Sequence, residues 1–365
     1  MKNQVIKKIK VGVYDPYLDT LGGGEKYIFS IMDALADLGY EINIFWDKDL
    51  KSEIGKRFSF RSIERLKFIN KKNLKNLWPY NYFFYVTDGS YFFSGAKKNF
   101  VYAMIPDKKL YSQSLINKLK LINFQFITHS LFTQQWLKKF GIKSRVLMPY
   151  LDDKLINQDI TTLKKERIIL SVGRFFSHLH SKRQDLVIKT FLELKKQSKD
   201  FSDYILILAG GLMKEDQEYF NDLKKLAGID PSIIFRPNIE LYELYKLYKL
   251  SNYFWHFTGY GVDENKYPKL VEHFGITPLE AMASGCLTFC FAAGGPKELI
   301  TNNGNGFLFS KTDDLIDKMI KIHTDNDLKE KIRNNGKQFV RDNYSYEVFR
   351  AQVMDLIKVR PSSKV

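Results

Sequence analysis

The chain has 365 residues, of which 44% are hydrophobic and 15% aromatic, and its formal net charge is +16 at pH 7. This length exceeds what one hydrophobic core usually organises, so we expect two domains. No apolar run approaches the roughly 20 residues of a membrane-spanning helix, and the basic N-terminus lacks the apolar segment of a signal peptide, so a cytoplasmic location is expected.

The positive charge is concentrated in the first part of the chain. Residues 1–150 contain 25 Lys and Arg against 12 Asp and Glu, whereas the remaining 215 residues contain 32 against 29. The first part therefore presents a cationic surface, which favours an anionic partner.

Short apolar strands alternate with helices along the first 150 residues. A strand at 9–15 precedes the loop Gly22-Gly23-Gly24, a helix over about 25–38 and a strand at 41–46, and this β-loop-α-β unit predicts a parallel sheet. Further strands are predicted at 82–88, 100–106, 124–130 and 144–150, with a capped helix between the last two.

The alternation stops at a polar stretch and then starts again. Strands are predicted at 167–174, 204–211, 232–238, 252–258, 287–295 and 306–309, and helices at 182–198, 215–227, 240–250, 276–284, 312–323, 326–341 and 346–358. The predicted fold class is α/β, with two doubly wound Rossmann-like domains that face each other across a cleft. The predicted parts are an N-terminal domain at 1–152, a linker at 153–166, a second domain at 167–342, and a C-terminal helix at 343–365 that packs back toward the first domain.

Two carboxylates, Glu272 and Glu280, lie eight positions apart around a bend at Phe274-Gly275-Ile276. The helix predicted from Ile276 has free backbone N–H groups at its start, which favour an anion. Carboxylates at such a point are natural acceptors for sugar or ribose hydroxyls. The alternative is an ordinary helix with solvated glutamates.

Arg174 ends a predicted strand, and Lys182 begins the next helix eight residues later. These cations could clamp a diphosphate at the carboxyl end of a parallel sheet, although two surface cations are the simpler interpretation. Gly22-Gly23-Gly24 and Gly294-Gly295 also follow strands, and they fit either a close approach to a ligand or a plain turn.

Several of these segments together resemble glycosyltransferase family 4. VGRFFSHLHSKRQDLVIKTF, HFGITPLEAMASG and AAGGPKELITNNGNGFLF are similar to its C-terminal domain, and GGGEKYIFSIMDALADLGYEINIF is similar to its acceptor-side domain. Members of that family have the GT-B fold and transfer a sugar from a nucleotide diphosphate sugar with retention of configuration, usually without a metal. The resemblance thus implies a GDP-sugar or UDP-sugar donor, with HFGI favouring GDP-mannose, and a glycan or lipid-linked acceptor in surface polysaccharide or glycoconjugate synthesis.

The resemblance also implies a role for each site residue. Arg174 and Lys182 would hold the donor diphosphate and stabilise the departing nucleotide, while Glu272 would bond sugar hydroxyls and Glu280 the ribose. The remaining donor contacts would come from the backbone of Phe274, Gly275 and Ile276 and, from the other domain, of Gly23 and Gly24. No metal site is expected, and Glu272→Gln and Lys182→Ala are expected to abolish transfer with a nearly unchanged melting temperature.

The histidines depart from the family pattern. Many relatives carry a histidine in an N-terminal-domain loop where this chain has Asp107, which could take over its polar role. His129 either faces the cleft or is hydrogen-bonded at a strand end, with the second favoured, and His273 is a candidate sugar contact beside Glu272. His256 is expected in the core.

Lys is mixed with large apolar residues in two segments of the first domain. In the stretch 64–80 and on a predicted helical stripe of Leu115, Leu119, Ile122 and Phe126, this mixture suggests docking on an anionic membrane. The alternative is that the stripe packs on the sheet.

Two other classes of protein are weighed against a transferase. A nucleotide-sugar epimerase, another GT-B enzyme, should show further carboxylates and histidines around the sugar, and a phosphorylase would need a pyridoxal lysine that is not evident. A nucleic-acid-binding protein is prompted only by the pI of about 9.4, and no recognition signature supports it.

Overall fold

A computed structural model describes residues 9–157, 164–178 and 180–358. It divides into two compact units. The first unit contains the residues up to Tyr150 and those from Glu347 onward, and the second contains Leu151–Tyr346. Parts of the predicted linker (158–163) and C-terminal segment (359–365) lie outside the described residues.

In the described part of the first unit, seven parallel strands form one sheet in the order β3-β2-β1-β4-β5-β6-β7. Their bounds are β1 Lys10–Tyr14, β2 Glu41–Phe45, β3 Leu66–Ile69, β4 Tyr82–Val86, β5 Lys98–Tyr102, β6 Phe124–Thr128 and β7 Ser144–Val146. The α-helices are α1 Gly23–Asp37, α2 Lys51–Arg57, α3 Leu115–Lys120 and α4 Leu131–Lys139. Central strands such as YFFYV are apolar along their whole length because helices and loops cover both faces of a parallel sheet.

In the described part of the second unit, six parallel strands form a sheet in the order β10-β9-β8-β11-β12-β13. Their bounds are β8 Glu166–Val172, β9 Ile205–Gly210, β10 Ile233–Pro237, β11 Ser251–His256, β12 Leu287–Phe291 and β13 Phe307–Phe309. The α-helices are α5 Asp153–Ile156, α6 Gln184–Gln197, α7 Gln217–Ala227, α8 Leu241–Leu250, α9 Ile276–Ala283, α10 Pro296–Leu299, α11 Thr312–Thr324 and α12 Asn326–Tyr344. Helix α13, Tyr346–Lys358, follows.

The residues of α13 from Glu347 belong to the first unit. The Lys98 ammonium donates to the carbonyl of Ile357 at 2.6 Å, and the amide of Met148 donates to Gln352 Oε1 at 2.9 Å. The chain therefore leaves the first unit after Tyr150 and returns to it after Tyr346.

The strand order reverses between β1 and β4 in the first sheet and between β8 and β11 in the second. The loops that follow these strands diverge to opposite sides of each sheet, and the resulting crevice is where open α/β sheets bind ligands. In the second unit, Gly173 and Arg174 directly follow β8, and His256 ends β11.

The sequence prediction was wrong in the basic region of the first unit. The stretch 64–80 contains β3, an edge strand that was not predicted, and α2 was also missed. The predicted helical stripe through Phe126 does not exist, because α3 ends at Lys120 and Phe126 is a buried residue of β6. Among the described residues, no helix combines the length and apolarity needed to cross a bilayer.

Candidate active site

Lys182 lies close to the end of β8 because Gly173 leaves room for it. A Cβ atom built on Gly173 would lie 2.4 Å from Cγ of Lys182, so a larger residue would displace the lysine stem. Arg183 follows in a left-handed conformation (φ 51°), and its guanidinium donates to the carbonyl of Tyr260 at 3.0 Å. The ammonium of Lys182 is thus presented at the switch point between β8 and β11.

The ammonium of Lys182 forms an ion pair with Glu272. The Nζ–Oε2 distance is 2.6 Å, and the two side chains are only 15% and 17% exposed. Nε2 of His256 lies 3.1 Å from the same Oε2 atom, and Oγ1 of Thr258 lies 3.2 Å from Nε2. One carboxylate oxygen therefore joins an ammonium from the β8 side to an imidazole from β11.

Burial and charge act in opposite directions on this cluster. Burial alone would raise the pKa of Glu272, but the Lys182 ammonium and the hydrogen bond from His256 together hold it well below its usual value. Burial lowers the pKa of His256, against the raising effect of Glu272. Glu272 is therefore a carboxylate and His256 a neutral imidazole at pH 7.

The loop that carries Glu272 is held by the Gly294-Gly295 turn. The amide of Gly295 donates to the Glu272 carbonyl at 2.8 Å. A Cβ atom on Gly294 (φ 62°) would lie 2.0 Å from that carbonyl oxygen, and one on Gly295 would lie 2.3 Å from the Phe274 carbonyl oxygen. These glycines permit close packing of backbone on backbone, which fixes the height of the Glu272 loop.

Helix α9 begins where the sequence predicts, at Ile276. Gly275 is its N-cap in a left-handed conformation (φ 110°), which favours glycine. The ring of Phe274 packs in the interior against Tyr344, with ring centroids 5.9 Å apart. Of this segment, only backbone groups at the helix start are therefore suited to meet an anion.

Glu280 lies in the second turn of α9 and is 6% exposed. Its Oε2 atom accepts a hydrogen bond from the Tyr248 hydroxyl at 3.0 Å, and Tyr248 is fully buried on α8. The solvated-glutamate alternative is therefore wrong for both Glu272 and Glu280, since both carboxylates are largely buried and hydrogen-bonded.

Arg174 makes its contacts on the other side of the β8 loop. Its Nη2 lies 3.2 Å from Asp216 Oδ2 and 3.7 Å from Glu215 Oε1, and its side chain is 38% exposed. The charges of both Arg174 and Lys182 help to lower the pKa of His180, which places the two cations near one imidazole. Arg174 does not join the Lys182–Glu272 pair.

Three histidines surround Glu272. His180 and His273 have ring centroids 5.8 Å apart, and burial lowers their pKa values to about 3 and about 4. His256 completes the group, and the expectation that it is only a core residue was wrong. The side chain at the carboxyl end of a predicted strand was the signal that could have identified it.

The candidate residues in the first unit are more scattered. Gly23 and Gly24 are the first residues of α1 rather than part of a loop, because the Glu25 carboxylate accepts the Gly22 N–H at 2.6 Å and starts the helix earlier. His129 is buried, and its Nδ1 lies 3.0 Å from the Tyr102 hydroxyl, as the strand-end interpretation predicts. Asp107 caps a short 3-10 helix through the Lys109 amide.

Among the residues that the structure describes, no group of three or more His, Cys, Asp or Glu side chains is arranged to hold a metal ion.

Known proteins resemble both the sequence and the fold. The alpha-1,3/1,6-mannosyltransferase ALG2 of Dictyostelium discoideum is 28% identical over 218 residues, which cover 57% of this chain and 49% of that protein. The human ALG2 is 27% identical over 249 residues, covering 64% and 56%. The chain spans about half the length of the curated relatives it matches.

Solved structures match over almost the whole chain. A glycosyltransferase from Rickettsia africae superposes with a TM-score of 0.71 at 20% identity, covering 96% of this chain and 98% of that one. HepE of Anabaena in complex with UDP and glucose gives 0.70 at 15% identity, covering 96% and 99%. These matches confirm the predicted GT-B fold class.

A family model described as glycosyl transferases group 1 matches residues 152–339. That range contains every residue of the Lys182–Glu272–His256 cluster and both carboxylates of the predicted motif. The chain belongs to the glycosyl transferases group 1 family.

Proposed function

We propose that this chain transfers a hexose from a nucleotide diphosphate sugar, with retention of configuration, to a glycan or lipid-linked acceptor in surface polysaccharide or glycoconjugate synthesis. The observation that carries the proposal is the Lys182–Glu272 ion pair at the switch point of the second sheet. It offers a cation for phosphate and a carboxylate for sugar hydroxyls within 2.6 Å of each other.

In this proposal, the chain stabilises the charge that develops on the leaving nucleotide. The ammonium of Lys182 and the backbone N–H groups at the start of α9 would bind the diphosphate, and Arg174 would exchange part of its contact with Asp216 for a phosphate oxygen. Fixed donors of this kind act most strongly in the transition state, when negative charge accumulates on the phosphate. Glu272 would orient the sugar, Glu280 the ribose, and Gly23 and Gly24 would approach the donor through the amides at the start of α1.

Mannose carried by GDP is the proposed donor, because the ALG2 relatives are named mannosyltransferases and the HFGI segment favours it. UDP-glucose is the competing donor, since HepE was solved with UDP and glucose. A thermal-shift screen of GDP, UDP and their sugars decides between them, because a ligand at 100 times its Kd adds about 2.7 kcal/mol of stability. We expect binding and turnover in the presence of EDTA, and loss of both on chelation would overturn metal independence.

The three histidines around Glu272 favour a second candidate, a nucleotide-sugar epimerase. Their low pKa values make them neutral at pH 7, the state a proton acceptor needs. The products separate the two functions. A transferase releases free nucleoside diphosphate when an acceptor or water takes the sugar, whereas an epimerase returns a sugar nucleotide with an inverted centre.

We further propose that the first unit docks on an anionic membrane through one apolar surface. Leu115, Leu119 and Ile122 are 79%, 59% and 84% exposed, and Trp78 and Phe93 are also exposed. The Trp78 ring covers Gly95, and the side chain of Asn123 donates to the Ser94 carbonyl at 3.1 Å. These neighbouring contacts join Trp78, Phe93 and Ile122 in one patch, which we call the α3 patch.

The charge around the α3 patch suits acidic lipid. Residues 51–120 contain 15 Lys and Arg against 4 Asp and Glu, and Lys118, Lys97 and Lys75 are exposed. Each cation near an acidic leaflet contributes about 1 kcal/mol, and exposed Leu, Ile and Trp side chains can enter the interface. A lipid-linked acceptor would then be met at the same membrane.

Flotation with phosphatidylglycerol vesicles tests the α3 patch. We expect salt-sensitive binding that Ile122→Glu abolishes and that Ile229→Glu leaves unchanged, because Ile229 is a fully exposed residue of the second unit. Equal flotation of the two variants would contradict the proposal, as would equal binding to neutral vesicles.

A further inference from the structure

His256 is a buried polar residue to which the proposed donor contacts assign no task. It ends β11, is 2% exposed, and places Nε2 at 3.1 Å from the Glu272 carboxylate. Its neighbour in the sheet register is Cys290 of β12, which is itself fully buried. An imidazole in this position can act on the site only through Glu272 and Thr258.

The hydrogen-bonding inventory fixes which nitrogen of His256 carries the proton. An ionised carboxylate only accepts, so Nε2 must donate to Glu272. Nδ1 is buried and has no hydrogen-bond partner, so a proton there would be a buried donor without an acceptor. His256 is therefore the neutral Nε2–H tautomer, and it provides a hydrogen bond to Glu272 without a competing positive charge.

A neutral donor matters because Lys182 has two possible partners. With no donor bound, the ammonium of Lys182 contacts Glu272 at 2.6 Å. When a diphosphate binds, the ammonium would divide its hydrogen bonds between the phosphate and the carboxylate. The orientation of Glu272 would then depend on a partner that the phosphate does not attract, and neutral His256 is such a partner.

We propose that His256 is a positioning residue that holds the Glu272 carboxylate toward the sugar while Lys182 binds the diphosphate. This inference rests on the proposed function. It predicts that His256 affects turnover of the sugar nucleotide, but not affinity for the nucleoside diphosphate alone.

The matched pair His256→Gln and His256→Asn tests it, because the glutamine amide nitrogen can reach the position of Nε2 and the shorter asparagine cannot. We expect His256→Gln to keep kcat within about 3-fold of wild type. We expect His256→Asn to lose about 10- to 100-fold, the usual effect of a lost hydrogen bond to a charged group. The Kd for GDP or UDP should stay within about 2-fold in both variants. His323→Gln, in which the lost contact is the Tyr253 hydroxyl at 2.9 Å, is the control for removing a histidine elsewhere in the second unit.

Equal kcat in His256→Gln and His256→Asn would overturn the inference, as would a loss of nucleotide affinity that matches the loss of turnover. If the wild-type protein binds neither GDP nor UDP, the proposed function itself fails, and this inference fails with it.

Discussion

The ammonium nitrogen of Lys182 lies 2.6 Å from Oε2 of Glu272. The cation proposed for the phosphate and the carboxylate proposed for the sugar are thus partners before any donor arrives. The expectation that either can be replaced without an effect on stability does not follow from this geometry, because each substitution leaves the other charge largely buried without its main partner.

We therefore expect Lys182→Ala and Glu272→Gln each to abolish transfer and also to lower the free energy of unfolding, by about 2–3 kcal/mol. Lys182→Met combined with Glu272→Gln should recover much of the stability but none of the activity. Urea unfolding and donor turnover measure the two effects. Lys48→Ala, which removes an exposed pair with Glu53 at 2.8 Å, should cost under about 1 kcal/mol. Single variants as stable as Lys48→Ala would contradict the coupling.

Gly23→Ala separates a role in catalysis from a role in folding. A Cβ atom at Gly23 would meet nothing within 4 Å, whereas one at Gly24 would lie 2.1 Å from Sδ of Met104. Because alanine is the better helix former, Gly23→Ala should raise stability by up to about 1 kcal/mol. A higher KM for the donor in this stable variant would support close approach of Gly23 to the donor. An unchanged KM would remove Gly23 from the site.

Tyr248→Phe should weaken recognition of the ribose. The Tyr248 hydroxyl donates to Glu280 at 3.0 Å inside the protein, so its loss leaves the carboxylate less well oriented. We expect the wild-type preference for a ribonucleotide over its 2′,3′-dideoxy analogue to shrink by about 10-fold, in line with one hydrogen bond to a charged group. Competition binding measures both affinities. A uniform loss for both nucleotides would indicate general destabilisation instead.

Stability should fall below neutral pH because of His180 and His273. Burial lowers their pKa values to about 3 and about 4, whereas in the unfolded chain both titrate near 6.5. As the pH falls below about 6.5, the unfolded state takes up protons that the folded state does not. Each histidine should then cost about 1.4 kcal/mol per pH unit. Urea unfolding at pH 7 and pH 5.5 measures the slope, and His273→Gln should reduce it. An identical slope in that variant would count against a buried neutral His273.

Most of the fold followed from hydrophobic period and turn residues. The strands of the second unit were each predicted to within a few residues, because runs such as RIILSV are apolar on both faces. The exception was β3, since Lys67 interrupts a four-residue edge strand that is only partly buried. In that segment the charge pattern indicated a surface, and it obscured the strand.

The site was predictable as a set of residues but not as a set of contacts. The Glu272 and Glu280 motif identified the carboxylates, and parallel-sheet topology placed Arg174 and Lys182 near them. Nothing in the local sequence indicates that Lys182 would pair with a residue 90 positions away, or that Arg174 would pair with Asp216. Such pairings depend on side-chain directions fixed only when the sheet forms. The same reason explains why His256 was assigned to the core.

The second unit begins and ends at one place. The amide of Leu151 donates to the carbonyl of Tyr344 at 2.9 Å, so its entry and exit points are joined by a backbone hydrogen bond. In topological terms, this unit is an insertion into the first, and it is connected by two neighbouring segments instead of one. An excised fragment of residues 151–346 would therefore have adjacent ends, the arrangement that permits circular permutation.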